Sequence, residues 1–215
     1  MIVTIDGPAG SGKSSTAKSV ATKTGWYYLD SGSLYRAYTL LYLNYGDLNE
    51  FLDSLYKHNV TLEVDHNHVQ TLLDGNVLGD AIRTPNVSQN VSKISALSEV
   101  RRKVNAEMRR IVQRHDFIAD GRDLGSIVFP DAVAKFFMVA DIHIRAERRY
   151  QELVAKGMDV SLDEIKQNLA ERDYQDSTRD EAPLIKPHNA IEIDTTKLPF
   201  EEQVEIISSV IKKLK

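Results

Sequence analysis

The chain has no cysteine. Disulfide scaffolds, thiolate metal sites and cysteine nucleophiles are therefore excluded, and a reducing compartment suits it. It has no apolar run approaching the roughly 20 residues that span a bilayer. Its opening stretch, MIVTIDGP, lacks the charged segment and the length of a signal peptide. Neither charge sign dominates. With 27 basic and 31 acidic side chains the formal net charge is −4, which argues against bulk binding to nucleic acid. Internal repeats and low-complexity stretches are absent too. A soluble, cytoplasmic, globular protein is expected, and 215 residues that are 42% hydrophobic suffice for one sizeable core.

What is present alternates strands with helices. Ile2, Val3 and Ile5 form a short apolar run ended by a Gly/Pro turn, as a central parallel strand would be. A polar helix is expected over 13–24, a strand over 26–29, and helices over 33–45 and 47–57. The texture then changes. VTLEVDHNHVQTLLDGNVLGDAIRTP alternates apolar with polar residues and contains Asp74-Gly75, so it reads as two antiparallel strands and a turn inserted into the fold. From Lys93 to His115, residues Ile94, Leu97, Val104, Met108, Ile111 and Val112 sit at helical spacing. AKFFMV (134–139) is a fully apolar strand. Arginine-rich helices follow over 143–156 and 161–178. Ser161 and Glu164 form a capping-box pattern at the start of the second, whose narrow stripe of Leu162, Ile165 and Leu169 suits a segment that moves. A last strand at 191–193 and an amphipathic helix close the chain. The class is α/β with a mainly parallel sheet.

The strongest signal is GPAGSGKS at 7–14, which completes G-x-x-x-x-G-K-[ST] with a strand before it and a helix after it. Glycines allow a tight turn that points several N–H groups inward, and the helix N-terminus adds partial positive charge. Gly7, Pro8, Ala9, Gly10, Ser11, Gly12, Lys13, Ser14 and Ser15 would cradle a nucleoside triphosphate. Lys13 would reach the β- and γ-phosphates and the Ser14 hydroxyl would ligate Mg²⁺. A glycine-rich turn with no ligand is the alternative, and the complete pattern in its context disfavours it.

No N-K-x-D guanine motif is present. The other unusual motifs pair arginine with acid: DSGSLYR (30–36), AIRTP (81–85), VRR (100–102), DGRD (120–123) and RDYQDSTR (172–179). In the last, Arg172, Asp176 and Arg179 fall on one helix face. On an isolated helix this would be a solvated salt-bridge ladder. Beside a phosphate loop it also fits a lid that brings arginines onto a phosphoryl group in transit.

Taken together, GPAGSGKSS, LDSGSLYRA, AIRTP with NVSKISALSEVR, DGRDLGSIVFPDA, ERDYQDSTRDEAPL and the terminal AIEIDTT resemble the bacterial cytidylate kinases over nearly the full length and in the same order. That resemblance implies a three-layer P-loop NTPase-type fold in one kinase domain. Its core would comprise about 1–37, 86–152 and 181–215, with an enlarged nucleoside monophosphate-binding insertion at about 38–85 and a short lid at about 153–180. It implies phosphoryl transfer from ATP, with Mg²⁺, to CMP or dCMP. Ser31, Asp176 and Arg172 would hold the acceptor's sugar, and Arg36 and Arg122 its phosphate. Ser92, Arg101, Asp123 and Arg179 would read cytosine, with Asp123 accepting from the exocyclic amine, as a carboxylate does elsewhere. Lys13, Arg36, Arg122 and Arg172 would carry catalysis. Asp120 would steady the turn and its arginine. Of Arg145, Arg148 and Arg149, Arg148 is the one expected to pack on the donor adenine.

The sequence departs from the family pattern at Pro187-His188-Asn189, where an acid is usual. His188, like His66 and His68, reads as a surface residue, and no metal-binding partner stands near the latter two. Two rivals remain at this stage: a P-loop kinase for another small acceptor, such as UMP or dephospho-coenzyme A, and a nucleotide switch that turns over poorly. No nucleic acid or membrane partner is expected, and a monomer is the default.

Overall fold

The computed structural model describes residues 1–66, 68–155 and 157–214. Five parallel strands form the central sheet: β1 (Ile2–Asp6), β2 (Tyr27–Asp30), β6 (Phe117–Gly121), β7 (Ala134–Val139) and β8 (Ile191–Asp194), in the order β2-β6-β1-β7-β8. Alternation along each strand sends successive side chains to opposite faces. Phe117 and Ala119 therefore join the core under one helical layer, while Ile118 joins the core under the other. The first layer contains α2 (Ser31–Tyr45), α4 (Pro85–Ser95) and α5 (Ser98–Ile111). The second contains α1 (Lys13–Thr24) and α8 (Phe200–Lys212), which seal Val3, Ile5, Phe136 and Met138 with Val20, Val204, Ile207 and Ile211. The result is the three-layer α/β fold that the sequence implied.

The inserted segment contains a short helix, α3 (Leu48–Ser54), and a separate sheet of β3 (Val60–Asp65), β4 (His68–Leu73) and β5 (Asn76–Val77). All its pairings are antiparallel. The expected pair of strands is in fact three, because Asp74-Gly75, with both residues at positive φ, turns β4 into the two-residue β5. Val60 and Leu62 tuck under α2's layer and Leu73 packs against it, so the insertion shares the first core.

Two local expectations fail. The single helix expected from Lys93 is broken: α4 begins at Pro85, capped by Thr84, and ends before Ala96 and Leu97, from which α5 restarts. Val87, Val91 and Ile94 bury one face of α4, and Val100, Val104 and Met108 one face of α5, so each helix follows its own packing axis. The capping box at Ser161 does not form either. Ser161 precedes α7 (Leu162–Thr178) in extended conformation, but its side chain makes no cap bond. The helix α7 is instead held by Ile165 and Leu169, which pack against Ala9 of the phosphate loop and Ala146 of α6 (Ile142–Ala155). Among the described residues no helix is long and apolar enough to cross a membrane.

Candidate active site

Parallel strands end on the same side of a sheet, so their carboxyl ends and the loops that follow them gather there. Three adjacent strands each deliver an acid to that edge. Asp6 ends β1, Asp30 ends β2, and Asp120 of β6 pairs in register with Ile5 and with Asp30.

The phosphate loop follows Asp6 directly. Gly7 sits at φ 149°, and a Cβ there would lie 2.0 Å from the Met138 carbonyl oxygen, so only glycine fits. Gly12 caps α1 in left-handed conformation. The Lys13 ammonium curls back to donate to the Pro8 carbonyl at 2.8 Å. Burial, and then the charge of Arg122, pull its pKa down to about 7. Ser11 shapes the loop from inside, where its carbonyl accepts from Thr195.

The loop opens into a cleft of about 910 Å³. Ala9, Gly10, Gly12, Lys13, Ser14, Ser15, Ser31, Arg36, Ser92, Arg101, Arg122, Asp123, Arg148, Arg172, Asp176 and Arg179 all line it. Gly7, Pro8 and Ser11 do not, because they form the back of the loop. Arginines thus converge from α2, α5, the turn after β6, α6 and α7.

These arginines form a chain with carboxylates. Asp123 accepts from Arg101, and from Arg179 at 3.4 Å, with all three side chains almost fully buried. Arg179 lies 3.9 Å from Asp176, and Asp176 accepts from Arg122 Nε at 2.7 Å. Arg36 lies 3.8 Å from Asp30, which also accepts from Arg83 at 3.0 Å. Arg172 differs from the rest. Its Nε is buried with no hydrogen-bond partner. Burial, then the repulsion of Arg122, lowers its pKa to about 10. A guanidinium held this way favours an incoming anion.

The expected role of Asp120 needs correction. It does not contact Arg122, which bonds to Asp176 and to the Gly121 carbonyl. Asp120 instead accepts from Ser14 at 2.6 Å and from Tyr28 at 2.7 Å. Burial first, and the charge of Asp30 next, raise its pKa. The turn that bears Arg122 and Asp123 is held by Asp6, whose carboxylate accepts from the backbone N–H groups of Leu124 at 3.0 Å and Gly125 at 2.7 Å.

The Ser31 hydroxyl donates to the Asp120 carbonyl at 2.7 Å, which seats it against Gly121. Arg148 is fixed by two bonds to Thr195, at 3.1 and 2.6 Å, and its guanidinium flanks Gly12. Arg145 turns away and is buried behind the phosphate loop, while Arg149 pairs with Glu152. His188 is exposed and the His66 ring lies 95% in solvent. Among the described residues no group of His, Asp and Glu is arranged as a metal site of its own. Sequence reading missed Tyr28, Asp30 and Arg83. Arg83 sits in the AIRTP motif, but only the fold shows that it meets Asp30.

The cytidylate kinase profile matches residues 3–213. The chain belongs to the cytidylate kinase family. It is therefore a nucleoside monophosphate kinase, a phosphotransferase. It is 41% identical to the cytidylate kinase of Lactobacillus gasseri, with 99% of this chain and 94% of that one aligned. To the cytidylate kinase of Fusobacterium nucleatum it is also 41% identical, with 100% and 99% covered. The shikimate kinase of Bacteroides thetaiotaomicron superposes with a TM-score of 0.50 at 8% identity, covering 99% of this chain and 98% of that one. At that identity the likeness speaks to the fold alone.

Proposed function

We propose that the cleft performs the family's reaction, transfer of the γ-phosphoryl group of ATP to CMP or dCMP, with the following division of labour. The observation that carries it is the convergence of Lys13 with arginines from α2, α5, α6, α7 and the turn after β6, one of them unpartnered, in a single cleft. Backbone N–H groups of residues 10–15 and Lys13 take the donor phosphates, and Arg148 flanks the donor base. Arg36 and Arg122 hold the acceptor phosphate, exchanging their present carboxylate partners for it. Ser31, Asp176 and Arg172 hold the sugar. Asp123, oriented by its ion pairs with Arg101 and Arg179, accepts from the cytosine amine, with Ser92 beside it. Uracil would present a carbonyl to that carboxylate.

The acceptor phosphate is already an oxyanion, so no strong base is needed. Catalysis is alignment together with charge stabilisation by Lys13, Arg122 and Arg172. The residues present fit Mg²⁺, a hard cation that takes oxygen ligands. Ser14 and the buried Asp120 would hold it, directly or through water. Bound there, Mg²⁺ would neutralise charge on the phosphate oxygens. We assign residues of about 38–85 to acceptor binding and about 153–180 to a lid that excludes water. We read the protein as a cytoplasmic monomer acting on free nucleotides, in line with its net charge of −4 and a cleft sized for small molecules.

The test is ADP formation with MgATP against CMP, dCMP, UMP, AMP and no acceptor. Fast turnover is expected with CMP and dCMP only, and Asp123→Ala should erase the preference over UMP. ADP formation that ignores the acceptor would contradict the reading.

A further inference from the structure

Arg172 is the only cleft arginine described here whose Nε is buried without a partner, so its own contacts do not orient it. Its position is set by the helix that carries it. Two carboxylates on that helix touch the core. Asp176 pairs with Arg122 inside the cleft, and this contact must be exchanged when an acceptor phosphate claims Arg122. The other is Asp173, next to Arg172 in sequence, which does not line the cleft.

Asp173 reaches the back of the phosphate loop. One carboxylate oxygen accepts the Ala9 N–H at 3.2 Å, and the other accepts from Arg145 Nη1. Arg145 Nη1 also donates to the Ala9 carbonyl at 3.0 Å, and its Nε to the Ala140 carbonyl at 2.9 Å. The acid and the arginine together thus occupy both backbone polar groups of one phosphate-loop residue. The pair is substantially buried, Arg145 at 8% and Asp173 at 22% side-chain exposure. Beneath it, Ala9 packs on Ile165 and Leu169 of the same helix.

We infer that Asp173 is a positioning residue: it ties α7 to the phosphate loop and so sets the roll of the helix that presents Arg172 to the reacting phosphoryl group. Neighbouring residues on a helix project about 100° apart, so anchoring one fixes the direction of the next. Neither Asp173 nor Arg145 lines the cleft, whereas Asp176 does. The inference rests on the reading of Arg172 as a phosphoryl-group ligand.

A double-mutant cycle on the full chain tests it, using Asp173→Ala, Arg172→Ala and the pair, with kcat and KM for ATP and CMP as readouts. Asp173→Ala is expected to lower kcat by about ten- to a hundred-fold, the scale of a small misplacement, with KM for CMP changed by less than about threefold. In the Arg172→Ala background the same change should cost almost nothing, because Asp173 acts through Arg172. An equal loss in both backgrounds, or a loss confined to KM, overturns the proposal. Full activity of Arg172→Ala alone would instead overturn the reading of Arg172. Should Asp173→Ala fail to fold, Asp173→Asn runs the same cycle. It keeps an acceptor for the Ala9 N–H and loses the charge that pairs with Arg145.

Discussion

Ser14 donates its hydroxyl hydrogen to Asp120 at 2.6 Å, across 106 residues of sequence. The contact joins the last residue of the phosphate-loop motif to the end of a neighbouring parallel strand. In the proposed reaction, the charge of this buried carboxylate would suit a cation that Ser14 shares.

Asp120→Asn should therefore separate metal use from stability. The amide keeps the shape and removes a charge that burial disfavours, so the unfolding temperature in chelator should hold or rise. The Mg²⁺ concentration for half-maximal activity should increase by about tenfold or more, since a charged oxygen ligand is gone. A magnesium titration of both proteins decides the matter. An unchanged midpoint would remove Asp120 from the metal site.

Lys13 predicts a proton balance. In the open cleft its pKa is lowered to about 7 by burial and by Arg122, so near pH 7.5 much of it is neutral. A bound triphosphate favours the ammonium and raises that pKa. ATP binding should therefore take up a fraction of a proton at pH 7.5 that Lys13→Met does not take up. Calorimetry in buffers of different ionisation enthalpy measures the difference, and equal uptake by both proteins would refute it.

Asp6 predicts a pH slope in stability. Burial raises its carboxyl from 3.8 to about 6, against the lowering effect of the two backbone N–H bonds. Between about pH 4 and 6 the folded protein thus keeps a proton that the unfolded chain has lost. Stability falls as pH rises through that window, by at most about 3 kcal/mol for a shift of this size. Asp6→Asn should flatten that segment in denaturant unfolding followed from pH 4 to 7. A parallel slope in the variant would mean that Asp6 does not carry it.

Much of this site can be read from residue order. GPAGSGKS permits little besides a phosphate loop, because Gly7 and Gly12 meet backbone demands that other residues cannot. The arginine and acid motifs place Arg36, Arg83, Arg101, Arg122, Arg172 and Arg179 in the cleft lining. Adjacency misled in one place. DGRD suggested that Asp120 serves Arg122, but strand register places Asp120 beside α1 and leaves Arg122 to Asp176 of α7. Apolar spacing misled in another. The pattern from Lys93 onward is continuous, yet the chain bends at Ala96 and Leu97 because two short helices cover the sheet.

Sequence by itself determined the phosphate loop, the alternating elements and the kinase family, since these depend on local backbone chemistry, periodicity and motif order. Tertiary structure alone decided which charge meets which. The pairs Ser14–Asp120, Arg122–Asp176, Arg101–Asp123 and Asp173–Arg145 bridge different elements, and partner choice there depends on strand register and helix roll. Charge attraction acts through space and does not follow distance along the chain.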